Sequence, residues 1–180
     1  DAAEMWMPAG SFWTQPAGEV HITAAKGEDN MAFIEIDHGP YLVWPPERAS
    51  DNGERPVNAH ANNLVWLNAD DTSWISADGP QLAFLWGKPE AGKAGGTLLK
   101  LPAGFAGEIR STSSMKAVVI GGELEVTADG NGQSKTLQQG SLIRSEGSAT
   151  QRIQSSGEGD SLLYLRTDAP VNIASGQETQ

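Results

Sequence analysis

The sequence predicts an all-β protein of the sandwich or barrel kind, on three observations. Apolar residues come in short runs rich in Val, Ile, Leu, Phe and Trp. The runs are punctuated by 21 Gly and 10 Pro among 180 residues. No helical period extends beyond a turn or two. Many short strands separated by Gly turns build sandwiches and barrels.

Taken in order, the first 44 residues hold the runs EMWM, SFWTQ, EVHITAA, MAFIEID and YLVW. PPERASDNGERPVNAHA, residues 45–61, is polar and Pro-rich; it cannot bury a core and reads as a linker. A second series follows: NLVWLN, SWIS, QLAFLWG, GTLLKL, GEIRST, KAVVIGGELEVTA, KTLQQ, SLIRS, TQRIQSS and SLLYLRT. TADGNGQSK reads as a hairpin tip, because Asp-Gly and Asn-Gly supply positive φ at little cost. The ending, residues 174–180, reads as a flexible tail.

Composition excludes several classes. Lys and Arg total 12 against 23 Asp and Glu, a formal charge of −11 that repels phosphate backbones and anionic lipid. Neither a nucleic acid nor a membrane is therefore expected as a partner. No apolar run reaches the length of a membrane span. With no cysteine, disulfides, thiolate metal sites and cysteine nucleophiles are absent. DAAEMWMPAG lacks the basic and apolar regions of an intact signal peptide, and the compartment, cytoplasmic or periplasmic, stays open.

Sliding the chain on itself by 130 positions aligns GSFWTQPAGEVHITAAKGEDNMAFIEIDHGP with GSLIRSEGSATQRIQSSGEGDSLLYLRTDAP without a gap. Gly10, Ser11, Gly27, Glu28 and Pro40 meet Gly140, Ser141, Gly157, Glu158 and Pro170. The expectation is two copies of one β unit. The first copy then lacks roughly its first 70 residues, and the chain starts mid-domain, as the C-terminal fragment of a longer protein would.

GSFWTQPAGEVH matches Gly-x5-Pro-x-Gly-x2-His, through Gly10, Pro16, Gly18 and His21. It resembles the second motif of the cupins, jelly-roll barrels of the double-stranded β-helix kind. The resemblance implies that His21 is one of four metal ligands, the other three lying in a first motif on the absent half-barrel. A divalent transition metal is then expected in the full-length protein. The second copy carries both motif regions. Along GFAGEIRSTSSMKAVVIGG the histidine positions hold Arg110 and Thr112, and the glutamate position holds Lys116, or Met115 if the spacing shifts by one. In its second motif Glu146 stands for the proline and Gln151 for the histidine. No metal is expected there. The whole resembles a bacterial bicupin family of undefined function, similar to the cupin domains of ChrR-type anti-sigma factors. It implies a half-barrel over residues 1–44, a linker over 45–61 and a complete barrel over 62–173. A homodimer, or contact with the missing N-terminal segment, is expected, and packing of the first unit's strands on the second barrel or on another subunit is expected to bury Met5, Met7, Phe12, Phe33 and Ile34.

Other candidates have plainer readings. His38 reads as a turn residue, and His60 lies in or beside the linker. Arg110, Lys116, Arg144 and Arg152 fall in or near predicted strands; Arg110 and Lys116, if inward, line a cationic pocket for carboxylate or phosphate, and otherwise they face solvent or pair with Glu108, Glu123 or Glu125. The six Trp read as core or inter-barrel packing. Asp70-Asp71 and Glu28-Asp29 are turn pairs without a catalytic role. Two functions remain: a small-molecule-binding or sensory cupin without catalysis, or a metal-dependent dioxygenase or isomerase using His21.

Overall fold

The computed structural model describes residues 5–88, 90–128 and 132–176. The chain divides into two compact units, Asp1–Ala61 and Asn62–Gln180. Each is all-β, as the sequence predicts, and no helix among the described residues is long and apolar enough to cross a membrane.

In the second unit the strands are β3 (Gln81–Gly87), β4 (Gly95–Leu101), β5 (Ala106–Ser111), β6 (Met115–Gly121), β7 (Leu124–Ala128), β8 (Ser134–Leu137), β9 (Leu142–Ser145), β10 (Ala149–Ser155), β11 (Ser161–Thr167) and β12 (Val171–Ser175). They form two five-stranded sheets, ordered β3-β4-β11-β6-β9 and β12-β5-β10-β7-β8. The ladders β4 with β11, β5 with β10, β6 with β9 and β7 with β8 are all antiparallel. The chain is therefore one long hairpin. Its outward arm is β4 to β7, its returning arm β8 to β11, and it is wound so that strands alternate between the sheets. That winding is a jelly roll, the double-stranded β-helix of the cupin barrel. Strand β3 adds an edge beside β4, and β12 adds one beside β5.

Period-two alternation sorts the side chains. Along β10, Gln151, Ile153 and Ser155 are buried while Arg152 and Gln154 are exposed. The interior is filled by Leu82, Leu99, Leu101, Ile109, Leu163, Leu165 and Ile173, all fully buried. Each contributes about 1.5–3 kcal/mol by leaving water.

The two outer faces differ. On the first sheet Ala83, Leu98 and Tyr164 are buried, with Leu64, Trp66, Leu85, Ile120 and Leu162 packed against them. NLVWLN, expected as a strand, forms only a bridge from Leu67 to Leu82 and lays Leu64 and Trp66 on this face. SWIS likewise forms only the bridge Ile75 to Ile173. Gly96 has no room for a Cβ, because the Trp86 indole and the Tyr164 hydroxyl lie over it, joined by a 2.9 Å hydrogen bond that Trp86 Nε1 donates.

The expected tail begins too early. Ala174 and Ser175 belong to β12, which pairs with β5 through Ala174 opposite Glu108 and Ser175 opposite Gly107. Residues 177–180, like the tip 129–131 of the β7–β8 hairpin, lie outside the described residues.

The first unit departs from its predicted strands. Strand β1 (Phe12–Trp13) pairs with β2 (Asn58–Ala59), and Thr14 and Val57 extend the contact through a 2.8 Å backbone hydrogen bond. The expected linker thus contributes β2, together with a 3-10 turn at Pro46–Arg48. EVHITAA, MAFIEID and YLVW form no strand. A ladder needs a second strand, and among the described residues no strand is paired with these segments. Their apolar residues stay exposed, Ile22 at 93% and Ile34 at 67%. Met5 and Phe33 are exposed too, and Met7 and Phe12 half-buried.

Candidate functional site: one end of the jelly-roll barrel

The cupin motif positions of the second unit fall on β5, β6 and β10, and burial tells which residues face inward. On β5 these are Gly107, Ile109 and Ser111, while Arg110 is exposed. Thr112, just past the strand, is exposed as well. On β6 Met115 is inward, only 1% exposed, and Lys116 faces out. On β10 Gln151 is inward and stands opposite Ile109. The sequence alignment is therefore one residue out of step on β5 and β6. Arg110, Thr112 and Lys116 do not occupy interior positions; Ile109, Ser111 and Met115 do. A one-residue shift moves every side chain of a strand to its other face. Gln151 faces inward, as does Met115, the alternative offered for the glutamate position.

The cationic pocket is not formed. Arg110 pairs with Glu108 at 2.7 Å, and Arg152 donates to the same carboxylate at 3.4 Å, on the outer face of the sheet. The Arg110 guanidinium holds the Glu108 carboxyl below the usual glutamate range, with Arg152 adding to it. Arg144 pairs with Glu146 at 2.6 Å, both exposed.

His21 stands in the first unit, exposed and in no strand, with ring Nδ1 3.1 Å from the Glu19 carbonyl oxygen. His38 lies 2.7 Å from the Asp37 carboxylate, also exposed, and His60 is half-buried. Among the described residues no three His, Cys, Asp or Glu side chains come together. Neither the single imidazole of His21 nor the quartet Ile109, Ser111, Met115 and Gln151 fits the donor set of a transition metal. An open groove of about 450 Å³ lies near His21 between residues 16–20 and 49–55. Its Asp51 carboxyl is held low by Arg55, which bonds it at 2.9 Å in full solvent.

The tryptophans divide. Trp74 is buried and meets Phe84 edge-on at 5.1 Å. Trp66 lies under Lys100, whose Nζ is 4.0 Å from the ring centroid. Trp6, Trp13 and Trp44 are exposed.

Sequence reasoning missed a set of small polar residues at the barrel end where β5, β9 and β11 finish. Thr97, Ser111 and Thr167 are 1%, 4% and 3% exposed, and Ser145 points inward beside Met115. No motif marks them. Only a correct register, which puts these residues on the inward side, would have found them.

Among the solved structures similar to the chain are two described as RmlC-like cupins. An RmlC-like cupin from Ralstonia eutropha matches at TM-score 0.48 and 16% identity, over 62% of this chain and 68% of that one. An RmlC-like cupin from Shewanella frigidimarina matches with the same score and identity, over 62% and 89%. Salicylate 1,2-dioxygenase from Pseudoaminobacter salicylatoxidans matches at 0.45 and 20%, over 58% of this chain and 30% of that one. Likeness at this level says nothing of activity. No curated protein matches the sequence. Residues 1–174 match the family described as Domain of unknown function (DUF4437), and with nearly its whole length so covered the chain belongs to that family.

Proposed function

We propose that the protein is a small-molecule-binding or sensory cupin whose second barrel works without a metal. The observation that carries the reading is the inward quartet. Where a metal-binding cupin would present imidazoles and a carboxylate, β5, β6 and β10 present Ile109, Ser111, Met115 and Gln151. These side chains can hydrogen-bond and pack against a ligand and cannot activate oxygen or water. The organisation proposed with it is a bicupin of the ChrR-like kind. In this reading residues 1–44 are the returning half of a first barrel whose other half would be of the β4–β7 type.

One observation favours a second reading, a metal-dependent dioxygenase- or isomerase-like enzyme. The 130-residue repeat sets His21 opposite Gln151, the inward residue of β10. Completion of the first barrel would carry His21 to an inward position there.

A thermal-shift panel of small neutral, anionic and cationic molecules tests the binding role. A saturable rise in Tm with one chemical class is the expected result, and a flat response across the panel contradicts it. Metal content of the full-length protein and of its His21→Ala variant decides the second reading. Metal that stays bound in the variant removes His21 from it.

A further inference from the structure

We propose that the barrel end reached by the β5–β6, β9–β10 and β11–β12 turns binds a small uncharged polar molecule, held by Thr97, Ser145, Gln151 and Asp168. This names the ligand class of the binding role above and rests on that reading.

Four buried side-chain oxygens have no hydrogen-bond partner among the described residues: Thr97 Oγ1, Ser113 Oγ, Ser145 Oγ and Asp168 Oδ1. Folded proteins rarely leave such groups unpaired without a bound water, an ion or a functional reason. Strand register places all four at one end of the barrel. Thr167 is paired with Met115, and Met115 with Ser145, in the last row of the sheet. Thr97 is one inward step deeper, opposite Leu165. Ser113 belongs to the β5–β6 turn and Asp168 to the β11–β12 turn. Gln151, 7% exposed, faces the same end from the other sheet. The opposite end is satisfied. There Ser155 and Ser161 hydroxyls share a 2.8 Å hydrogen bond, and Ser161 Oγ donates to the Glu123 carbonyl at 3.0 Å.

Charge selects the ligand. The cations near this end are directed elsewhere, and Arg166, two residues before Asp168, lies over the Trp86 ring at 5.9 Å. Arg144 bonds Glu146, Arg110 bonds Glu108, and Lys88 and Lys93 both bond Glu90. Lys116 lies on the outer face. An anion would enter beside the Asp168 carboxyl group with no positive partner, which is costly away from water. Hydroxyls and an amide both donate and accept, so they suit a neutral molecule bearing hydroxyl or amide groups. Size follows from the floor. One step below Thr97 and Gln151, Leu99, Leu163 and Ile153 fill the interior, so only a few heavy atoms fit.

Acetamide and acetate share a shape and differ in charge, so the pair is the probe. Thermal unfolding of the full chain is followed with each at equal ionic strength, in the native protein, Thr97→Val and Ser145→Ala. Acetamide is expected to raise Tm saturably, with an apparent affinity about tenfold or more above that of acetate. Both variants, folded by circular dichroism, are expected to lose most of that response. Amide NMR shifts on acetamide addition are expected at Ser111, Ser113, Ser145 and Asp168. Equal responses to the two probes overturn the ligand class. An acetamide response unchanged in both variants overturns the site. No response to acetamide, with a hit from another class in the wider panel, overturns this inference and leaves the binding role standing. Silence across the whole panel ends both.

Discussion

Between Gly10 and Pro40 the chain turns as it does between Gly140 and Pro170, yet only the second stretch is woven into sheets. Gly10 and Gly140 have φ of 81° and 86°. Ser11 N–H reaches back to the Pro8 carbonyl and Ser141 N–H to that of Gln138, at 3.2 and 2.9 Å. Residues 27–29 and 157–159 make the same bend. Between these turns the second stretch forms β9, β10 and β11, and the first forms the two residues of β1. The difference lies in the partners. Strands β9 to β11 pair with β4, β5, β6 and β7, residues 95–128. The ladder described within residues 10–40 is that of β1 with Asn58–Ala59. Turns are local and form wherever their Gly, Asn and Asp residues stand; ladders are not local and need a second strand.

That contrast predicts a graded set of mutational effects. The largest is in the woven copy. Leu165→Ala, in the fully buried middle of β11, is expected to cost about 2–5 kcal/mol in urea denaturation. Its 130-residue counterpart in the first stretch is exposed, and Glu35→Ala is expected to stay within about 0.5 kcal/mol. A comparable loss at both would erase the distinction. Next, Gly96→Ala must displace the Trp86 indole and break its bond to Tyr164, at a cost of about 1–3 kcal/mol. Trp fluorescence should change with it. In the opposite direction, Thr97→Val removes a buried, unpartnered hydroxyl and is expected to raise the stability of the ligand-free protein by about 1 kcal/mol. A loss instead would mean that the hydroxyl has a partner, such as an ordered water.

The smallest effect depends on pH. Arg110, and after it Arg152, lowers the Glu108 carboxyl pKa in the folded state. The unfolded chain then takes up the proton first as pH falls. The stabilisation is present above the ordinary glutamate value of about 4.3 and fades as pH falls through the lower folded value. Glu108→Gln should flatten stability across that window by at most about 1 kcal/mol. An unchanged profile would show that the pair contributes nothing measurable.

How far the sequence could be read follows the same division. Strands β3 to β11 were legible because each carries Val, Ile, Leu or Phe, mostly between Gly-, Asp- or Asn-bearing turns, although β5, β8 and β10 carry only one such residue each. VNIAS was missed as β12; it follows Pro170, mixes Asn and Ser with its apolar residues, and is held at the sheet edge by β5 and by the bridge from Ile75 to Ile173. In the first unit the runs EVHITAA and MAFIEID had the right pattern, and pattern does not supply a partner. The site was half legible. Motif spacing pointed to Gln151, which faces inward, and offered Met115 beside Lys116; on β5 it pointed one residue too far, to Arg110 and Thr112 in place of Ile109 and Ser111. Thr97, Ser145 and Asp168 carry no spacing signal at all, since only the three-dimensional register gathers them.

Amide hydrogen exchange of the 180-residue chain tests the contrast between the two stretches most directly. Residues 149–155 and 161–167 should exchange only on global unfolding, while 19–25 and 31–36 exchange at rates near those of an open chain. Comparable protection in both stretches would mean that the first is paired after all, and would contradict the account.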